Sequence, residues 1–132
     1  MNDPTPPYIP PRPYIPASLS EIYDLLGSMV LDAPTFIDQS GSFPDRNVES
    51  RFHQLAGGFE LVKAKLGETR YASLVELAAQ AKALFADDPE DTNGKTDQGR
   101  ALLFEIEDII QATRAERTKE RLPDEEGNVT GD

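Results

Sequence analysis

The sequence predicts an all-α fold: a small four-helix bundle-like domain over residues 18–118, behind a proline-rich extended arm (1–17) and ahead of a disordered, acidic polar tail (119–132). Three observations predict it. Apolar residues recur at three- and four-residue steps in four separate stretches, the period that gathers them on one face of an α-helix. Gly, Pro and clusters of turn-forming residues separate those stretches. At 132 residues the chain fits one domain, with roughly 100 residues left for a core once both tails are set aside.

The arm reads PTPPYIPPRPYIP over residues 4–16, with Pro7, Pro10, Pro13 and Pro16 spaced by three. On a left-handed three-residue helix this spacing aligns them along one edge. Tyr8-Ile9-Pro10 recurs as Tyr14-Ile15-Pro16, two such turns later, so both Tyr-Ile pairs face the same way.

Ser18 followed by Glu21 forms a capping box and starts the first helix, placed at 18–32. Leu19, Ile22, Leu25, Leu26, Met29 and Val30 mark its buried side, and Pro34 stops it. Residues 35–45 read as a loop whose Phe36, Ile37 and Phe43 fold back onto the core. The second helix, 46–66, has the most regular pattern, Val48, Phe52, Leu55, Phe59, Val62 and Leu66 following alternating steps of four and three. The Phe52-Phe59-Leu66 seam suits packing inside one bundle or the joining of two copies into a homodimer. Gly57 and Gly58 interrupt it at about 1 kcal/mol each relative to Ala, which points to a kink or a close helix crossing. Gly67 ends it as a left-handed cap.

Thr69 is the expected cap of a third helix, 69–86, buried through Tyr71, Leu74, Val75, Ala78, Ala81, Leu84 and Phe85. The short link from the second helix implies a tight antiparallel hairpin. The acidic turn-rich segment DDPEDTNGKTD (87–97) leads to a fourth helix, 97–118, capped by Thr96 or Asp97 and buried through Leu102, Leu103, Ile106, Ile109, Ile110 and Thr113. Beyond Thr113 the apolar repeat is lost, so the helix is expected to project into water or fray before Pro123.

Composition narrows the function. Without cysteine there is no disulfide, thiolate metal site or thiol nucleophile. No basic segment followed by an apolar stretch marks a secretory signal, which makes the cytoplasm the expected location, and no apolar run approaches the roughly 20 residues that span a bilayer. A net charge of −11 disfavours nucleic acid and anionic membranes as direct partners and favours a basic protein. The excess is uneven: residues 1–66 hold 8 acids and 5 bases, residues 67–132 hold 16 acids and 8 bases.

No constellation reads as a catalytic or cofactor site, and the expectation is a protein that is not an enzyme and holds no cofactor or metal. The acids and Asn93 around Gly94 invite a calcium loop, but with Gly94 at the loop glycine the first ligand position is Pro89 and the last is Arg100. His53, the single histidine, has Glu49 one turn earlier, a pair rather than a site. No Walker loop, dinucleotide fingerprint or G-x-S-x-G occurs. Asn128-Val129-Thr130 matches a glycosylation sequon, without meaning unless the chain is secreted. Pro7-Tyr8-Ile9-Pro10-Pro11-Arg12 fits the P-x-x-P-x-R shape that aromatic grooves dock. Glu105 and Asp108, one turn apart on the outer face of the fourth helix with Glu107 at its margin, are expected to join the 87–97 loop in one negative surface.

In size, acidity and helix content residues 18–113 resemble the small acidic helical immunity proteins that protect bacteria from their own toxins, though the likeness extends to no single motif. The resemblance implies a non-enzymatic inhibitor that blocks a basic toxin by occlusion, with Asp87, Asp88, Asp91, Glu105 and Asp108 as contacts. The alternative is an adaptor or structural subunit docking through its arm, with Tyr8, Arg12 and Tyr14 as contacts.

Overall fold

The computed structural model describes residues 15–37 and 47–120. They form five packed helices, α1 (Leu19–Asp32), α2 (Val48–Leu61), α3 (Lys63–Leu66), α4 (Glu68–Ala86) and α5 (Lys95–Lys119), with no strand among the described residues. Four long helices make the expected all-α bundle, and α3 is a single extra turn. No described helix is long and apolar enough to cross a membrane.

Ser18 caps α1 by accepting a hydrogen bond from the Glu21 backbone N–H at 3.1 Å. The Glu21 carboxylate reaches one residue further back than a reciprocal box requires and accepts from the Ala17 N–H at 2.8 Å. Ala33, forced extended ahead of Pro34, ends the helix. The reciprocal box appears instead on α2, where Asn47 Oδ1 accepts from the Ser50 N–H at 2.8 Å and Ser50 Oγ from the Asn47 N–H at 3.0 Å.

The stretch expected as one helix to residue 66 breaks at Val62 (φ −106°, ψ 14°), not at its glycines. Gly57 and Gly58 serve the close crossing. A Cβ on Gly58 would stand 2.8 Å from Pro16 Cγ and 3.1 Å from Ile22 Cγ1, and one on Gly57 would stand 3.1 Å from Ile15 Cγ2. The end of the proline arm and the first turn of α1 therefore lie directly on the α2 backbone.

Gly67 joins α3 to α4. Its N–H donates to Lys63 O, its carbonyl accepts from the Tyr71 N–H, and its φ of 84° with ψ of 162° is an extended conformation open in practice to glycine alone, not the expected left-handed cap. α4 thus starts at Glu68, and Thr69 lies exposed in its first turn rather than capping it.

Contacts between helix ends fix the topology. Ile22 lies near Gly58 and Ser28 accepts from Arg51, so α1 and α2 run antiparallel. Glu49 pairs with Lys82 and Glu60 accepts from the Tyr71 hydroxyl, which sets α2 against α4. Arg70 pairs with Glu116 while Phe85 meets Gly99, which sets α4 against α5. Arg100 donates to Val30 O and Ala33 O, both at 3.3 Å, and Arg114 lies 5.8 Å over the Tyr23 ring, which sets α5 against α1. The four long helices thus form an up-down-up-down ring in which α4 and α5 share the largest contact.

Inside the ring Leu26, Met29, Leu55, Phe59, Leu74, Leu103, Ile106 and Ile110 are fully buried, and the Phe52-Phe59-Leu66 seam is enclosed in one bundle. Phe36 enters from the loop after α1 and meets Phe52 (5.7 Å, 87°) and Phe85 (5.1 Å, 85°) edge to face. Its positive φ of 61° is a strained position that burial of the ring offsets. Ile37, expected in the core, is exposed instead; Phe43 lies outside the described residues. Val75 is likewise exposed rather than buried, lying at the α2–α4 margin.

α5 stays helical beyond Thr113 and keeps contact with its neighbours there. Arg114 and Arg117 are half-buried and the helix continues to Lys119, because polar contacts to α1 and α4 replace the missing apolar ones.

Candidate docking surface on helices α4 and α5

The acidic residues singled out in the sequence fall into two groups that the fold separates. Asp87, Asp88 and Asp91 lie in the α4–α5 turn, whereas Glu105 and Asp108 stand further along α5, the ten steps from Lys95 to Glu105 rising about 15 Å.

In the turn Asp88 serves the fold. Asp88 is 1% exposed, so its carboxylate is withdrawn from any docking face. One oxygen accepts from the backbone N–H groups of Thr92 (2.7 Å) and Asn93 (3.2 Å), and the other from that of Thr96 (3.0 Å), while Thr96 Oγ1 donates to the Asp88 carbonyl at 3.1 Å. The N-cap of α5 is Gly94 in the left-handed conformation, without a side chain to satisfy the first turn. Asp88 supplies that cap from eight residues away, and Thr96, expected as the cap, is instead a buried first-turn residue that receives it. Burial alone would raise the Asp88 pKa, but the hydrogen bonds from Thr92, Thr96 and Asn93 outweigh it and hold the carboxyl below its ordinary value.

Asp87 is exposed, pairs with Lys95 Nζ at 3.4 Å and accepts from Asn93 Nδ2 on its carbonyl at 3.1 Å. Asp91 is exposed at φ 56°, its N–H donating to Asp88 O. Within the loop the Asp88 carboxylate is thus used internally, while Asp87 and Asp91 remain exposed.

Glu105 and Asp108 are arranged differently. They line a shallow open groove between α4 and α5 with Ala72, Ser73, Glu76, Leu77 and Ile109. Half-buried Leu77 and Ile109, with Ala72, make an apolar floor; Glu76, Glu105 and Asp108 stand exposed at its rim, and no basic residue is among the lining. Glu76 accepts from Gln80 Nε2 at 2.9 Å, and neither Glu105 nor Asp108 takes part in an ion pair with a described residue. Adjacent Glu107 has its pKa raised, first by burial and then by the negative charge of Asp108.

Sequence reasoning missed Glu76, Ser73 and Leu77. The signal was available in part: Ala72, Ser73, Glu76 and Gln80 fall on the side of α4 away from most of its buried positions. Placing them opposite Glu105 and Asp108 requires the interhelix register, which the Phe85–Gly99 contact sets.

A second groove lies between α2 and α4, lined by Phe52, His53, Ala56, Phe59, Val75 and Ala79 among others. Glu49 and Lys82 close one end with an ion pair at 2.8 Å, so Glu49 is directed to Lys82 rather than reserved for His53. Among the described residues no group of three or more His, Cys, Asp or Glu side chains is arranged to hold a metal ion. Tyr8, Arg12 and Tyr14 lie outside the described residues. No family model matches the chain, and neither does any curated protein or solved structure.

Proposed function

We propose that this chain is a non-enzymatic protein-binding module that engages a basic partner across α4 and α5, acting as an inhibitor that covers the partner's working surface in the manner of an immunity protein. The observation that carries the reading is the α4–α5 groove, whose apolar floor is ringed by Glu76, Glu105 and Asp108 without a basic residue in its lining. Exposed charge pairs contribute about 0.2–1 kcal/mol each. The carboxylates would thus steer encounter and select the partner's sign, while burial of Leu77, Ile109 and Ala72 supplies affinity.

A second reading, an adaptor that presents its arm, draws on one specific observation. Ile15 and Pro16 are seated on Gly57 and Gly58, which fixes the root of the arm to the bundle.

One experiment separates the two. The protein is purified from its native cells with whatever co-elutes, the companion is identified by mass spectrometry, and its retention is measured on the unaltered chain, on Glu105→Lys/Asp108→Lys and on a chain lacking residues 1–14. An inhibitor acting through α4 and α5 retains a basic companion after arm deletion and loses it after charge reversal. The opposite pattern, or a companion without basic character, contradicts the first reading.

A further inference from the structure

Resting on the reading of the α4–α5 face as a docking surface, we propose that its occupant is a basic amphipathic α-helix, laid into the groove as an added helix of the bundle. The groove spans residues 72–77 of α4 and 105–109 of α5, a length of about 8 Å, or one and a half helical turns. Its walls are the side chains of two antiparallel helices, whose backbone donors and acceptors are paired within the helices themselves.

That fact decides the conformation of the occupant. An extended segment pressed onto Leu77 and Ile109 would turn part of its own backbone N–H and C=O groups toward a surface with no backbone partner to offer, at a cost comparable to lost hydrogen bonds. A helix arrives with those groups satisfied and presents only side chains. Ala72 and Ser73 leave room for a third helix to approach at the separations of about 8–10 Å at which helices pack.

Charge decides the rest. Apolar residues at three- and four-residue spacing would meet Leu77 and Ile109, and lysines or arginines flanking that stripe would reach Glu76 on one side and Glu105 and Asp108 on the other. A second copy of this chain is a poor occupant, because each copy carries a net charge of −11. An anionic membrane is repelled for the same reason.

The test uses the full chain, isotopically labelled, and three synthetic peptides: an amphipathic helix of Leu and Ala flanked by Lys, the same sequence with Glu in place of Lys, and the Lys peptide with a central Pro. Amide shifts locate each peptide and circular dichroism reports its helicity. The Lys helix is expected to shift the amides of Ala72, Leu77, Glu105 and Ile109 and to gain helicity. The Glu peptide should leave them unmoved, and the Pro peptide should bind about tenfold more weakly. Glu105→Lys/Asp108→Lys should lose the Lys helix while keeping the dispersed spectrum of a folded bundle. Equal binding by the Lys and Pro peptides would overturn the helical occupant and leave the docking surface standing. Shifts confined to other helices, or none in any arm, would overturn both.

Discussion

Carboxylates on the α4–α5 hairpin meet two fates. At the turn, Asp88 is buried and accepts three backbone N–H groups, and Asp87 has Lys95 beside it. Midway along the same two helices, Glu105 and Asp108 face water around an apolar floor, with Glu76 opposite. Acidity in the sequence is alike in both places; what differs is whether the fold itself supplies donors. A carboxylate that already satisfies a helix end is part of the architecture, whereas one left without a cation is available to something else.

The comparison can be tested first at the closed end. Phe85→Ala removes the ring that fills the space over Gly99 and meets Phe36, and should destabilise the fold by about 3–5 kcal/mol in urea denaturation. A loss below about 1 kcal/mol would mean that this end is not packed as described. Gly99→Ala places a Cβ 2.7 Å from Phe85 Cε1, a rigid ring atom, and should cost about 1–3 kcal/mol. Gly27→Ala in α1 is the control: nothing lies within 4 Å of its added Cβ, so the same denaturation should show a gain of up to about 1 kcal/mol.

Asp88 gives a pH signature. Its folded pKa lies below the unfolded value of 3.8, so the stability it contributes is fully present above that value and is lost as pH falls through the folded pKa. Asp88→Asn places amide N–H donors where Thr92, Asn93 and Thr96 also donate, and should weaken the fold at neutral pH. Stability measured from pH 7 to about pH 2 should then fall less steeply in the variant than in the unaltered chain. Parallel curves would remove Asp88 from its capping role.

The smallest effect on stability belongs to the open groove. Glu105→Lys/Asp108→Lys should change unfolding free energy by no more than about 0.5 kcal/mol, because both side chains are exposed and unpaired by any described cation. The same change should weaken a basic partner at least about tenfold in a calorimetric titration. A large stability loss with unchanged affinity would invert the comparison.

Much of the fold was legible because helix periodicity is a local property. Ser18, the Leu19 to Met29 stripe and the Val48 to Leu66 seam announced their helices, and the seam proved to be core. What escaped was set by distant neighbours. Gly94 gave no cap to read, since the cap of α5 is Asp88, brought back by the turn. The chain break at Val62 lies inside an unbroken apolar pattern. The last turns of α5 carry no apolar signal, because Arg114 on Tyr23 and Arg70 on Glu116 hold them. The groove was half legible: Glu105 and Asp108 could be placed on an outer face from spacing alone, but Glu76 joins them only through interhelix register.

Hydrogen exchange of the chain alone and bound to its purified companion tests the central claim most directly, since protected amides report where the partner lies. Protection concentrated in residues 72–77 and 105–109, and abolished by Glu105→Lys/Asp108→Lys, is the predicted result. Protection confined to α1 and α2, with α4 and α5 exchanging as in the free chain, would contradict it.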